Sequence, residues 1–209
     1  MKLATLATLF ALMSVFTTSA TAADAASAKT ESVIVGGGCF WCVEGAYKIV
    51  PGIVKITSGY AGGNTENPTY KEVCGGDTNH AEVVKVDYDP AKITLKDVID
   101  LFWDLHDPTT LNRQGHDVGT QYRSIILYTS EEQKKVAEAS MAEAKGKFSD
   151  PIVTQIVPLK KFYSGEEYHQ DYFANNPNQP YCQAVVGPKI AKFKKKLAER
   201  NAAAAAAAK

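Results

Sequence analysis

The sequence has no excess of charge of either sign. Its 209 residues carry 23 lysines and arginines against 23 aspartates and glutamates. This balance does not point to a polyanionic partner such as nucleic acid. The basic cluster at residues 192–196 is more typical of the solvated face of a helix, because Ile190, Phe193 and Leu197 supply an apolar face beside it.

The sequence also lacks internal repeats and any linker long enough to separate two domains. Residues 32–200 are therefore expected to form one domain, close to the usual domain length of about 150 residues. Potential metal ligands are not clustered either. Cys74 and Cys182 stand alone and distant from the other two cysteines, so a structural zinc site is not favoured, since it needs four ligands at close spacing.

The two ends of the chain differ in composition from the rest. Residues 3–23 are uncharged, and Ala20-Thr21-Ala22 matches the small-residue pattern of signal peptidase sites. We interpret residues 1–22 as a cleaved signal peptide and expect an exported protein, periplasmic or secreted. An uncleaved anchor is the alternative, but the many Thr, Ser and Ala residues make the stretch poorly apolar for stable membrane insertion. Residues 201–209 form an alanine-rich tail to which we assign no function.

Hydrophobic periodicity and turn residues predict an α+β fold. The predicted strands cover residues 33–35, 53–60, 80–88, 121–128 and 152–157. Helices are predicted from Cys39 to the Pro51-Gly52 break, after Thr94, after Ser130, and at residues 165–175 and 188–200. Residues 64–79 are predicted to be an irregular loop. Because the elements do not alternate regularly, we expect helices on one face of a mixed or antiparallel sheet, with a loop-rich C-terminal segment.

Cys39 is the strongest candidate for a reactive residue. It follows three glycines and opens a helix, where unpaired N–H groups and the helix dipole stabilise a thiolate. The alternative is a small buried cysteine that only packs. Cys42 lies on the same helical turn, so the two sulfurs can meet and form a disulfide. Phe40 and Trp41 between them are either core residues or the wall of a hydrophobic pocket.

Glu82 lies on the apolar face of a predicted strand. Val84, Val86 and Tyr88 follow it at alternate positions. A buried carboxyl without a cationic partner has a raised pKa and stays protonated, which suits a general acid. The strand pattern alone leaves an exposed position at the strand end equally open.

Three loop segments mix hydrogen-bonding side chains with glycine or aromatic residues. They are residues 67–70, 115–122 and 167–172, and they include Tyr70, Asp117 and Tyr122. Tyr122 is predicted to open a strand. Considered one at a time, such residues most often lie in loops or at the edge of a site without taking part in chemistry. His169 in particular fits a structural histidine as well as a functional one.

Together, these motifs resemble the A-type peptide methionine sulfoxide reductases. The motif Gly-Cys-Phe-Trp-Cys at residues 38–42 is followed in order by Gly-Tyr-Ala-Gly-Gly, Asn-Pro-Thr-Tyr, His-Ala-Glu-Val-Val and Gly-Thr-Gln-Tyr-Arg-Ser. The resemblance covers residues 33–196. It implies a ferredoxin-like α+β core and the stereospecific reduction of methionine-S-sulfoxide, free or in oxidised proteins.

The resemblance also implies a role for each matching residue. Cys39 would attack the sulfoxide sulfur, and Phe40 and Trp41 would hold the substrate's methyl group. Glu82 would protonate the sulfoxide oxygen. The remaining implied residues are Tyr70 and Tyr122, which would donate hydrogen bonds, and Asp117, which would help to position the substrate or its backbone.

Attack by Cys39 would release methionine and leave a sulfenic acid. Cys42 would then condense with it, and a thioredoxin-like protein or a dithiol would reduce the disulfide. No metal or organic cofactor is expected, and the chain is expected to act as a monomer. Many relatives carry Gly at position 42 and use a C-terminal resolving cysteine, so Cys182 is the alternative resolving residue.

A general thiol–disulfide oxidoreductase that uses Cys39 and Cys42 is the leading alternative function. The two aromatic residues between the cysteines speak against it, as does the absence of a thioredoxin-like βαβ order. Export creates a tension with either function, because a thiol reductase would then work in an oxidising compartment and need reducing equivalents from the membrane.

Overall fold

The structure, a computed structural model, describes residues 30–207 and is built on a six-stranded sheet. The strands of this sheet are β1 (Glu31–Gly36), β2 (Ile53–Ala61), β3 (Ala81–Tyr88), β6 (Ile125–Tyr128), β7 (Gln155–Pro158) and β8 (Phe162–Ser164). A separate small hairpin pairs β4 (Arg113–Gln114) with β5 (Asp117–Val118). The six strands lie in the order β7-β6-β1-β3-β2-β8, and only the β6–β7 pair is parallel.

Six helices accompany these strands within the described residues. They are α1 (Phe40–Tyr47), α2 (Tyr70–Gly75), α3 (Leu95–Leu105), α4 (Glu131–Ala144), α5 (Tyr172–Asn175) and α6 (Gly187–Ala207). The four central strands, β6-β1-β3-β2, are connected through α1 and α3 as a split βαβ pair, which is the ferredoxin-like arrangement. The predicted α+β class with a mixed sheet is confirmed. No helix among residues 30–207 is both long and apolar enough to cross a membrane.

Strand alternation decides which residues form the main core. Val33 and Val35 of β1 and Val84 and Val86 of β3 face the helices, and each is at most 1% exposed. The intervening residues, such as Ile34 and Val83, form a smaller cluster on the opposite face of the sheet. Glu82 belongs to the first set by its position on β3, so its carboxyl lies on the helix face.

Side-chain caps explain where several helices begin. Thr94 accepts from the N–H of Asp97, and the Asp97 carboxylate accepts from the Thr94 N–H, which forms a capping box for α3. Ser130 likewise accepts from the Gln133 N–H at the start of α4. These are the start signals on which the sequence-based helices after Thr94 and Ser130 depend.

Some boundaries differ from the sequence-based expectations. Residues 64–79 contain the short helix α2, which begins with a Thr69–Glu72 capping box. Tyr122 does not open a strand; it lies in a 3-10 turn (Thr120–Tyr122) that precedes β6. The predicted helix at residues 165–175 is divided into a 3-10 turn (Glu167–His169) and α5, because Asp171 adopts a left-handed conformation with φ of 56° between them.

The ends of the chain fall partly outside the described residues. The predicted signal peptide, residues 1–22, lies outside them, as do the last two residues of the alanine-rich tail. The preceding part of that tail continues α6 as far as Ala207, with exposed side chains.

Candidate active site

Cys39 lies at the junction between β1 and α1, where the chain reverses tightly. Gly38 has a φ of 94°, in the region that favours glycine, and a Cβ atom there would come within 2.7 Å of the Gln114 side chain. Cys39 then occupies the N-cap position of α1. Its side chain is only 5% exposed, so the sulfur faces a largely enclosed space at the helix start.

The thiols of Cys39 and Cys42 interact directly. Burial raises the pKa of Cys39, and its hydrogen bond to Cys42 and the charge of Glu82 act in the same direction. The hydrogen bond from Cys39 lowers the pKa of Cys42. The helix terminus does favour a Cys39 thiolate through the Trp41 N–H, as the sequence suggested, but burial outweighs it. Of the two thiols, Cys42 is therefore the one that ionises more readily.

Glu82 places a buried carboxyl beside the same helix start. Only 2% of the residue is exposed, and its Oε2 accepts a hydrogen bond from the Phe40 N–H at 3.0 Å. Burial raises the pKa of Glu82 to about 8, with the Phe40 N–H opposing that shift. No lysine or arginine pairs with Glu82 within residues 30–207. Glu82 is thus mostly protonated at neutral pH and can act as an acid.

Two phenols complete the set of neutral proton donors. Tyr70 begins α2, and Tyr122 lies in the turn that packs against β3. Burial raises the pKa of both hydroxyls, and the charge of Glu82 adds to the effect on each of them. Both hydroxyls therefore remain protonated at physiological pH, and both interact electrostatically with Glu82.

Aromatic rings surround the first turn of α1. Phe40 is buried, and its ring lies 5.9 Å from that of Tyr60 and 6.4 Å from that of Tyr70, centroid to centroid. Trp41 is partly exposed and stacks on Tyr172, with ring centroids 3.6 Å apart and planes 6° from parallel. The two residues that the sequence offered as a pocket wall therefore have different surroundings, since Phe40 is in the core and Trp41 is at the surface of the site.

His169 connects these rings, although the sequence alone left it as a possible structural residue. It is 1% exposed, and its Nδ1 accepts a hydrogen bond from Trp41 Nε1 at 3.2 Å. The proton of the neutral ring is thereby assigned to Nε2, which lies 3.9 Å from Glu166 Oε2. Burial lowers the pKa of His169 and favours this neutral form. The density of aromatic and polar residues at 167–172 was the available signal.

Asp117 contacts the C-terminal segment. Both of its carboxylate oxygens accept from the Tyr181 hydroxyl, at 2.9 and 2.8 Å, and the Lys189 ammonium lies 4.0 Å away. Tyr181 directly precedes Cys182. Asp117 thus fixes the position of the segment that carries this cysteine, a contact that sequence reasoning did not anticipate.

Cys182 is fully buried in a π-helical turn (Cys182–Val186) that packs against α1. Burial raises the pKa of Cys182, and the charge of Cys42 contributes to this shift. Both candidate resolving cysteines therefore lie in elements that contact each other, since Cys42 is on α1. Cys42 hydrogen-bonds to Cys39.

The arrangement defines a class of protein. A buried acid and two phenols beside a cysteine at a helix start suit a substrate whose oxygen must be protonated before it can leave, and two further cysteines provide for reduction of the oxidised sulfur. The fold and site together are those of a thiol-dependent reductase on an α+β scaffold.

Comparison with known proteins identifies the family. Residues 31–202 match the family model described as peptide methionine sulfoxide reductase. The chain is 56% identical over 165 residues to the peptide methionine sulfoxide reductase MsrA of Leptospira borgpetersenii serovar Hardjo-bovis, covering 79% of this chain and 94% of that protein. The chain belongs to the peptide methionine sulfoxide reductase family. It is an enzyme that reduces methionine sulfoxide.

Solved structures agree with this assignment. Reduced Mxr1 from Saccharomyces cerevisiae superposes with a TM-score of 0.71 at 41% identity, covering 75% of this chain and 91% of that one. Mxr1 in complex with Trx2 matches with a TM-score of 0.51 at 30% identity, covering 70% and 86%. A general thiol–disulfide oxidoreductase, the alternative drawn from Cys39 and Cys42, is not favoured by these matches.

Proposed function

We propose that Cys39 attacks the sulfoxide sulfur while Glu82 protonates the sulfoxide oxygen. The observation that carries this assignment is the buried Glu82 carboxyl, held by the Phe40 N–H beside the residue that bears the sulfur. Protonation makes the oxygen a leaving group and the substrate sulfur electrophilic. The Cys39 thiol loses its proton before it attacks, and the Trp41 N–H at the helix start stabilises the resulting thiolate.

Tyr70 and Tyr122 supply hydrogen bonds to the same oxygen. Their raised pKa values keep the hydroxyls protonated, so each can donate as charge develops on the substrate. Attack by the Cys39 sulfur transfers the hydroxyl to it, which releases methionine and leaves a sulfenic acid. Asp117 helps to position the C-terminal segment, because its carboxylate accepts hydrogen bonds from the Tyr181 hydroxyl.

Phe40 and Trp41 hold the methyl group of the substrate. Phe40 is packed among buried rings and cannot move freely, whereas Trp41 is fixed by its hydrogen bond to His169 and by its stack on Tyr172. A rigid apolar pocket on one side and proton donors on the other can accept only one arrangement of methyl and oxygen around the sulfur. This asymmetry supports selection of a single epimer, and the resemblance to the A-type reductases is the reason to propose the S epimer.

Recycling begins with Cys42. It is already in contact with Cys39, so condensation with the sulfenic acid needs no large rearrangement and releases water as the disulfide forms. We propose that Cys182, in the turn that packs against α1, then takes over the disulfide by exchange. A thioredoxin-like dithiol then reduces the enzyme. The complex of the related Mxr1 with Trx2, a thioredoxin, supports this kind of reductant.

Assays with separated epimers test the proposal. The mature protein with dithiothreitol should consume methionine-S-sulfoxide and leave the R epimer unchanged. Equal consumption of both epimers would contradict the asymmetric pocket. Mass spectrometry after one turnover should find a disulfide between Cys39 and Cys42, whereas a first disulfide between Cys39 and Cys182 would transfer the resolving role to Cys182.

We further propose that the enzyme is exported, as a periplasmic or secreted monomer. The support is the composition of residues 1–22 and the match to signal peptidase sites at Ala20-Thr21-Ala22. Fractionation of cells, with N-terminal sequencing of the protein recovered, should find a chain that begins near Ala23. A cytoplasmic protein with the first residues retained would refute export, and light scattering of the purified protein would test the monomer.

A further inference from the structure

A second buried carboxyl lies on α1 and takes no part in the chemistry proposed above. Glu44 follows Cys42 by two residues, and only 2% of it is exposed. Its Oε1 accepts a hydrogen bond from the Asp171 N–H at 2.9 Å, and the N–H of Tyr172 also bonds to the carboxyl. The Glu44 carboxyl is thus the acceptor for two consecutive N–H groups from a distant part of the chain.

The backbone that Glu44 binds has an uncommon local conformation and no side-chain helix cap of its own. Asp171 adopts a left-handed conformation, with φ of 56°, which is uncommon for a residue with a side chain. It precedes α5, yet its side chain makes no capping hydrogen bond to that helix. The Asp171 carboxylate instead forms an ion pair with Lys48, which lies one turn after Glu44 on α1. Two anchors of this turn therefore come from α1 and its C-cap residue, while the preceding residue, Gln170, is bound to Ser58 of β2.

The turn positions a ring at the substrate pocket. Tyr172, the first residue of α5, lies face to face with Trp41 at 3.6 Å between centroids. Trp41 and Glu44 are on the same helix, three residues apart, so α1 contacts the turn at two points. In the first contact, Glu44 binds the backbone of the turn. In the second, the Tyr172 ring stacks on Trp41.

We propose that Glu44 is a positioning residue for substrate binding, which fixes the backbone at Asp171 and Tyr172 so that the Tyr172 ring holds Trp41 in its binding orientation. The inference rests on the role of Trp41 in holding the substrate, proposed above. Loss of the carboxyl would free the turn and let the Trp41–Tyr172 stack separate. The consequence falls on substrate affinity, since Cys39 and Glu82 are positioned by β1, β3 and the start of α1.

Steady-state kinetics of Glu44→Ala and Glu44→Gln provide the test. Glu44→Ala should raise KM for a methionine-sulfoxide peptide about tenfold, which is the size of the effect expected when a buried N–H loses its acceptor, with kcat within about twofold. Glu44→Gln keeps an acceptor oxygen at the same place and should restore most of the affinity. Equal loss in both variants, or a fall in kcat without a change in KM, would overturn the proposal.

A double-mutant cycle separates positioning from general stability. If Glu44 acts through Tyr172, the effect of Glu44→Ala on KM should largely disappear in a Tyr172→Leu background. Independent, multiplying effects would refute the connection. Trp41→Leu serves as the third arm: unchanged KM in that variant would show that the Trp41 assignment itself is wrong, whereas raised KM there with unchanged KM in Glu44→Ala would refute only the role of Glu44.

Discussion

The junction of β1 with α1 and the segment at residues 165–186 both line the active site, but they are built differently. The junction consists of regular elements, in which strand pairing and helix hydrogen bonds place Cys39 and Glu82. The C-terminal segment has only short turns, tied to the rest by side chains such as His169 and Tyr181. The covalent chemistry thus depends on the rigid scaffold, while the shape of the pocket depends on bonds between distant side chains.

The largest expected effect comes from the junction. Cys39→Ser should reduce methionine sulfoxide reduction to the background rate of the buffer, because an alcohol cannot pass through the sulfenic acid and disulfide states. Single-turnover assays without added reductant measure this directly. The purified variant should keep its circular dichroism spectrum, and residual turnover above background would show that another cysteine can attack.

Glu82→Gln should lower kcat/KM by about 10²–10⁴, the usual contribution of a positioned general acid. The wild type should also lose activity as the pH rises through about 8, since burial raises the pKa of Glu82 to that value and the acid form is the active one. Below pH 8 the carboxyl is protonated, so its own titration no longer limits kcat/KM there. The Gln variant should lack this decline, and an identical pH profile in both proteins would assign the titration to another group.

The difference between the two regions also decides what the sequence could predict. Alternation along β3 predicts that Glu82 lies on the apolar face of the strand, because side chains alternate with a period of two, but it leaves exposure at the strand end equally open. The Thr69–Glu72 capping box that begins α2 is also visible in the sequence, but the many Gly, Asn and Thr residues at positions 64–79 favour a loop over a helix there. Local signals thus predict the strand that carries Glu82 and the helix that follows Cys39, but they do not predict the elements that carry Tyr70 and Tyr122.

The C-terminal segment could not be predicted in the same way. The bond from Trp41 to His169 joins residues 128 positions apart, and the two bonds between Ser58 and Gln170 span 112 positions. No period or capping pattern encodes such pairs. The left-handed Asp171 also divides what reads as one helix, because its conformation is maintained by contacts with α1.

Assays of enzyme recycling test whether the C-terminal segment also takes part in the chemistry, through Cys182. Cys42→Ser should retain a single turnover but lose at least about tenfold in thioredoxin-driven cycling, because the thiol already in contact with Cys39 is gone. Cys182→Ser should cycle with dithiothreitol at nearly the wild-type rate. Coupled NADPH oxidation with thioredoxin and its reductase measures thioredoxin-driven cycling in both variants, and formation of methionine in the presence of dithiothreitol measures the cycling of Cys182→Ser with that reductant. Normal cycling in Cys42→Ser with loss in Cys182→Ser would move the first resolving step into the C-terminal segment.

The smallest expected effect concerns the contact between Asp117 and Tyr181. Tyr181→Phe removes the hydroxyl that donates to both carboxylate oxygens, at a cost of about 1.5–3 kcal/mol for a hydrogen bond to a charged group, reduced where water or Lys189 can replace it. We expect KM to rise about three- to tenfold with little change in kcat, because the ring still packs beside Trp41. Titration of the variant with substrate measures this. A large fall in kcat would instead mean that Tyr181 acts on the reacting atoms. The chemistry would then not be confined to the junction of β1 with α1, and residues 165–186 would do more than shape the pocket.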